Sequence, residues 1–285
     1  MNTNDLKIFE AVAQTGSFTK AAELTSTVQS NITARIKSLE DEFGVQLFTR
    51  TSRRVELTMA GEKLIAYSHQ ISDLITAAKD ELRESDQVIG HLKIGCIETT
   101  MALKVPGIIT SFGEQYPDVS LEFRAAMRST LLNEVLQYQL DAAFITAPVY
   151  APELAHVAVK EEKLVILAAA KYRTINEILK QQLPTIIVFE EGCMFRERLE
   201  TWLASKGISK YKSIVVNSLE GIVNFVEAGL GISIMGMDVV NEYYAARNIT
   251  TFPITKELAI MSTLLVYRNK PRLSPVLKAF IQLYQ

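Results

Sequence analysis

Leu6, Phe9, Gly16-Ser17-Phe18, Ala21-Ala22, the run VQSNITARIKSLE (Val28 to Glu40), GVQLF (Gly44 to Phe48), Arg50 and LTMAG (Leu57 to Gly61) fall at spacings that write helix, turn, helix and wing in order. A helix of this size is one of the few protein elements that fits the DNA major groove, so the segment points to double-stranded DNA as a partner. Leu6, Phe9 and Ala13 recur at intervals of three and four, which predicts an amphipathic helix over Thr3 to Gln14 that Gly16 can end with positive φ. Ser17 suits the N-cap of a short helix, Phe18 to Leu24, whose small pair Ala21-Ala22 lets a neighbour approach closely. After a turn around Thr25 to Thr27, Val28 to Phe43 reads as the third helix, with Ile32, Ile36, Leu39 and Phe43 inward and Gly44 as its end.

The third helix keeps Gln29, Ser30, Asn31, Thr33 and Arg35 outside that core face. Asn and Gln can bond adenine edges bidentately, Ser and Thr can serve bases or phosphates, and Arg suits guanine or phosphate. A solvated helix face, polar for capping reasons, is the other reading. Ser17 and Thr27, at the two turns, join these as candidate DNA contacts. Residues 46–58 alternate loosely, Leu47, Phe48, Val55 and Leu57 inward, so Arg50, Arg53 and Arg54 fall on a two-stranded wing from which they could reach a phosphate or the minor groove.

The formal charge of −2 and pI near 6.0 supply no global basic field, so the case for DNA rests on where the cations sit. With 48% hydrophobic and 22% charged residues in 285, the chain is ordinary globular protein long enough for two or three buried cores. No apolar run approaches the ~20 residues of a membrane span, and the start MNTNDLK lacks a signal pattern. A cytoplasmic protein is expected, with Cys96 and Cys193 reduced.

Thr58 can cap a helix running without Gly or Pro from Ala60 to about Ser85, Gly61 in its first turn aside. Leu64, Tyr67, Ile71, Leu74, Ala78 and Leu82 form a slightly irregular coiled-coil seam on it, for a second copy of the chain or for the chain's own domain. Beyond a hinge at Ser85 to Gly90, apolar strands alternate with helices: LKIGC, VSLEF, AAFIT, KLVILAA, TIIVF, SIVV and GISIM, with a last helix around Ser274 to Tyr284. Such alternation predicts a parallel-rich α/β sheet with its ligand at the carboxyl ends of the strands, in two lobes with a cleft between. The domains expected are a DNA-binding unit at 1–58, a linker and dimerisation helix with hinge at 59–89, and a two-lobed unit at 90–285. Lobe I is expected to hold about 90–160 and 263–285, and lobe II about 161–262.

The N-terminal pattern over residues 6–61 resembles the winged helix-turn-helix of the LysR-type transcriptional regulators. It departs at Thr25, where the family commonly has Leu, and at Thr27, where it commonly has an apolar or aromatic residue. GHLKIG (Gly90 to Gly95), YPDVSLEF (Tyr116 to Phe123), LDAAF (Leu140 to Phe144) and NSLEGIVNFVEAGLGISIM (Asn217 to Met235) resemble that family's effector domain, similar in fold to periplasmic solute-binding proteins. The resemblance implies a homodimer or homotetramer on an imperfect inverted repeat, a small-molecule effector in the cleft, RNA polymerase as a partner if the protein activates, and no cofactor.

Rim positions of such a cleft are Thr99 and Thr100 at a helix start, Arg128 and Ser129 after the second strand, Thr146 after the third, Cys193, Phe195 and Arg196 in the opposing lobe, and Asn217. Each could instead be a cap or a surface group. Arg128 and Arg196 facing inward together would favour an anionic effector. Two rival functions stand beside this one. An enzyme finds little support, because His69, His91 and His156 lack a Cys neighbour or metal spacing and no GxSxG, HExxH, CxxC or phosphate-loop pattern occurs. A redox-responsive regulator would join Cys96 to Cys193 across the cleft, which needs Cα atoms within ~7 Å.

Overall fold

The computed structural model describes residues 2–50, 55–82, 88–181 and 183–285. Contacts divide the chain into two compact units, Met1–Asp86 and Gln87–Gln285.

In the first unit, α1 (Thr3–Thr15) starts at a capping box between Asn2 and Asp5 and ends at Gly16, whose φ of 59° is the left-handed turn a helix end favours. Ser17 caps α2 (Phe18–Leu24), and α3 (Gln29–Phe43) follows a turn whose polar groups are satisfied: Thr25 Oγ1 donates to the Ala21 carbonyl at 2.7 Å, and Thr27 N to that of Ala22. The hairpin of β1 (Phe48–Arg50) and β2 (Val55–Leu57) makes the wing, antiparallel with Phe48 opposite Leu57. Arg53 and Arg54 lie outside the described residues. Phe9, Val12, Ala21, Ile32, Ile36, Leu39, Leu47 and Phe48 form one core. Phe43, expected inside, is 44% exposed. The chain reverses at Gly44, and Leu47 and Phe48, each 1% exposed, fill the core in its place.

The long helix α4 (Met59–Glu81) grows out of this core. Thr58 Oγ1 accepts from Gly61 N at 3.1 Å as its cap, and the fully buried Ser68 hydroxyl donates to Glu10 on α1 at 2.6 Å. A side chain at Gly61 would place its Cβ 2.3 Å from the Leu47 carbonyl oxygen, so the close approach requires glycine. Leu64 packs against the winged-helix core and so does not belong to the outward seam. Tyr67, Leu74 and Leu82 are 62%, 70% and 82% exposed, and Ile71 is half-buried.

The second unit opens with β3 (Gly90–Cys96), α5 (Glu98–Leu103), α6 (Val105–Gln115), β4 (Val119–Ala125), α7 (Arg128–Leu136) and β5 (Ala142–Thr146). Strand β3 pairs in parallel with β4 and β5. Then comes β6 (Leu154–Ala169), sixteen residues of unbroken strand. Lobe II continues with α8 (Ile175–Leu179), β7 (Thr185–Val188), α9 (Met194–Ser205), β8 (Lys212–Val215), α10 (Leu219–Glu227), β9 (Ser233–Gly236), α11 (Met237–Tyr243) and β10 (Ile249–Pro253). The chain returns through β11 (Ile260–Arg268) to α12 (Pro275–Gln282).

The first part of β6 pairs antiparallel with β11, from Leu154 opposite Arg268 to Lys163 opposite Ile260, and its second part pairs antiparallel with β9 and β10. The sheet is therefore mixed, and the expected parallel pairing holds at β3–β5 and at β7 with β8. The first half of β6, with its burial alternating, was not among the strands expected from apolar runs. In the second half Leu164, Ile166 and Ala168 enter a core with Trp202 and Ile232, while Val165 and Leu167 face a second with Val223 and Met235. Lobe I is likewise covered on both faces, by Phe112, Phe144 and Phe280 on one and by Leu131, Val135 and Val266 on the other. Among the described residues no helix is long and apolar enough to cross a membrane.

Gly61→Ala should lower the unfolding free energy of the N-terminal unit by about 1–3 kcal/mol, the usual cost of forcing a methyl group into packed structure. Denaturant unfolding checks this, and an unchanged midpoint would contradict the close approach of α4 to Leu47.

Candidate functional site

Helix α3 presents its polar start outward. Gln29 and Ser30 are exposed, and Asn31 and Thr33 half-buried. Thr19 Oγ1 on α2 donates to Gln29 Oε1 at 3.1 Å, which orients the amide, and Asn31 Nδ2 donates to Thr27 Oγ1 at 2.9 Å. Thr33 Oγ1 bonds back to the Gln29 carbonyl. The N-cap is Val28, which has no side-chain acceptor, so the positive end of α3 has no cap of its own and suits a phosphate.

Three expected DNA contacts also have partners within the fold. Ser17 Oγ accepts from Lys20 N as the cap of α2. Arg35 Nη1 donates to Asp5 at 3.0 Å, and Arg50 Nη2 donates to Glu40 at 3.2 Å while its guanidinium lies 4.7 Å from the Phe18 ring centre. Asp5 and Glu40 are 5% and 9% exposed, and a buried carboxylate requires such a partner. Glu40 also accepts from the backbone N–H of Leu47 and Phe48, which ties the end of α3 to the wing. Thr19 and the exposed Val28, both beside the polar start of α3, were not expected there. Their position on the preceding helix, or at an apolar cap, gives no local signal.

The cleft of the second unit holds a cavity of about 200 Å³. Lobe I supplies Ile97, Glu98 and Thr99 at the start of α5, Ala125 to Arg128 where β4 runs into α7, and Thr146 at the end of β5. Lobe II supplies Phe189, Glu190, Gly192 to Phe195 before and within α9, and Asn217. Thr99, Arg128, Thr146, Cys193, Phe195 and Asn217 thus meet at one cavity. Thr100 does not line it, being 2% exposed and turned into the protein, and Ser129 is exposed to solvent.

Arg196 does not line the cavity either. Its Nε donates to Glu200 at 2.9 Å one turn along α9, with Glu191 at 3.7 Å, and the Glu200 hydrogen bond raises the guanidinium pKa further. The expected pair of inward guanidinium groups is therefore reduced to Arg128. That side chain donates from Nε to the Thr146 carbonyl at 3.1 Å and from Nη2 to the Pro148 carbonyl. Met127, beside Arg128 after the second strand, lines the cavity too, whereas Glu190, Phe189 and Ile97 were not singled out by sequence, because loop and cap residues carry no periodicity. Among the described residues no group of three or more His, Cys, Asp or Glu could hold a metal ion.

Both cysteines are free thiols. Cys96 has no exposure and sits with Leu92 and Ile94 in the core of lobe I, where burial pushes its pKa up to about 12. Cys193 packs against the core of lobe II. Burial raises its thiol as well, more than the N–H groups of Arg196 and Phe195 at the start of α9 lower it. The two sulfurs belong to separate cores, which opposes the bond across the cleft expected for redox response, and neither is a thiolate at neutral pH.

Residues 3–62 match the family model of the bacterial regulatory helix-turn-helix protein, lysR family, and residues 85–285 that of the LysR substrate binding domain. The HTH-type transcriptional regulator YusT of Bacillus subtilis is 37% identical over 281 residues, covering 99% of this chain and 94% of that protein. GltR of the same organism is 33% identical, at 99% and 95% coverage. Among solved structures, a full-length OxyR variant from Pseudomonas aeruginosa superposes with a TM-score of 0.78 at 22% identity, covering 100% of this chain and 93% of that one. Full-length CbnR with its target DNA gives 0.68 at 20%, covering 100% and 99%. At these identities the structural likeness establishes the fold.

Because both pKa values are raised, the thiols are protonated below them, and reactivity should appear only as pH climbs. Native protein should react with a thiol reagent at pH 7.5 far more slowly than urea-unfolded protein, in which both groups are free. Equal rates would contradict the burial of the two sulfurs.

Proposed function

The chain belongs to the LysR family of bacterial helix-turn-helix regulators, a transcriptional regulator with an effector-binding domain, and on that premise we propose that it binds specific promoter DNA under control of a small molecule held in the cleft. One observation carries the DNA half of this reading: the start of α3 presents Gln29 and Ser30 outward beside an uncapped helix terminus. Asn31 and Thr33 flank them. This face reads base edges while the terminus of α3, together with Arg53 and Arg54, meets phosphate. That CbnR, of the same fold, was solved with its target DNA supports DNA as the partner here.

The exposed stripe Tyr67, Leu74 and Leu82, with Ile71 at its edge and Ala78 in the same sequence register, pairs α4 with a second copy in a homodimer or homotetramer. Two copies of α3 then read the halves of an inverted repeat, which multiplies affinity and specificity. In this reading residues 1–58 bind DNA, 59–89 link and dimerise, and 90–285 sense. An effector that contacts both walls of the cleft binds the closed arrangement of the lobes better than the open one, and that difference is what it can transmit to the DNA-binding units and, where the protein activates, to RNA polymerase.

In a mobility-shift titration the protein should prefer the duplex upstream of its own gene over random duplex, with affinity falling steeply as salt rises. Gln29→Ala or Ser30→Ala should cost about 1–3 kcal/mol on the preferred duplex and little on the random one. Equal losses on both duplexes, or no preference at all, would refute the assignment of α3.

A further inference from the structure

The cleft carries charges of both signs that nothing among the described residues neutralises. At one end, the guanidinium of Arg128 is bonded to two backbone carbonyls, which fix its position and leave its charge intact. It stands at the N-terminus of α7, a nine-residue helix whose N-cap, Met127, has no side-chain acceptor and whose first turn has no acidic residue. A cation at a helix N-terminus is a standing repulsion that an anion relieves. Beside it, Thr146 is 3% exposed and lines the cavity, and its hydroxyl makes no hydrogen bond among the described residues. That hydroxyl can donate to or accept from a ligand that enters the cavity.

The opposite sign comes from Glu98 and Glu190, which line the same cavity from lobe I and lobe II. Neither carboxylate has a hydrogen bond or ion pair among the described residues. Ile97, Met127, Phe189, Met194 and Phe195 make the remaining wall apolar.

Resting on the cleft as the effector site, we propose that the effector is a zwitterion, a free α-amino acid with an apolar side chain. Its carboxylate meets Arg128, the α7 terminus and Thr146, its ammonium meets Glu98 and Glu190, and its side chain covers the apolar wall. A simple organic anion would be repelled by the two carboxylates, and a simple amine by Arg128. The cavity of about 200 Å³ lies below the ~300–1,000 Å³ of pockets for drug-sized ligands, which suits one amino acid and excludes a peptide. Because Glu98 and Glu190 stand on different lobes, the ammonium also bridges the cleft.

Calorimetric titration of the full chain with leucine, methionine and phenylalanine, with their deaminated acids and with their decarboxylated amines, tests this. At least one amino acid should bind tenfold or more tighter than both of its counterparts. Glu98→Gln combined with Glu190→Gln should weaken that amino acid at least tenfold and leave the deaminated acid no weaker. If a deaminated acid binds as tightly as its amino acid and ignores both substitutions, the zwitterion is overturned while the cleft stands. If no probe binds a protein whose thermal unfolding is cooperative, the proposal is also overturned. Amino-acid binding that survives Asn217→Trp and Thr146→Val, each with an unchanged unfolding midpoint, would place the ligand outside the cleft and remove both readings.

Discussion

One continuous strand, Leu154–Ala169, is built into the sheets of both lobes, and the cleft depends on it. Its first part is paired with β11 and its second with β9 and β10, so the backbone hydrogen bonds that hold each lobe end on the same extended chain. The buried period-two pattern of residues 164–168 then seats the second part between two apolar layers. Such a strand resists stretching and permits bending where its partners change, near Lys163 and Leu164. The residues on either side of the junction, Thr99, Arg128 and Thr146 on one and Cys193, Phe195 and Asn217 on the other, line the one cavity.

The N-terminal unit solves a different problem, which is to hold a small core rigid while exposing polar side chains. Two buried carboxylates do much of this. Asp5 and Glu40 each draw in an arginine, and Glu40 adds two backbone N–H groups of the wing. Arginines within the fold thus brace α1, α3 and the wing, while the smaller polar groups Gln29 and Ser30 at the start of α3 stay exposed. An isolated cation count would miss this, since the unit's arginines are not interchangeable.

Most of the architecture was legible in the sequence because its signals are local. Gly16, Ser17, Gly44 and Thr58 mark helix ends by backbone chemistry, and the structure places caps or left-handed turns at each. What was not legible depended on distant partners. Phe43 fits the inward helical period but lies past the point where Leu47 and Phe48 return. Leu64 fits the α4 stripe, yet the same packing that brings Ser68 onto Glu10 brings Leu64 onto the core. Arg196 fits a cleft position, yet a glutamate one turn along its own helix holds it away. The alternating half of β6 carries too many charged residues to read as a strand until β11 is placed beside it.

Hydrogen exchange of the full chain, free and bound to the duplex upstream of its own gene, tests the central assignment most directly. Binding through α3 predicts slowed exchange of the amides of residues 28–35 on that duplex, stronger than on random DNA, with the cleft-lining segments unchanged when no effector is added. Protection absent from residues 28–35 while the DNA remains bound would contradict the account.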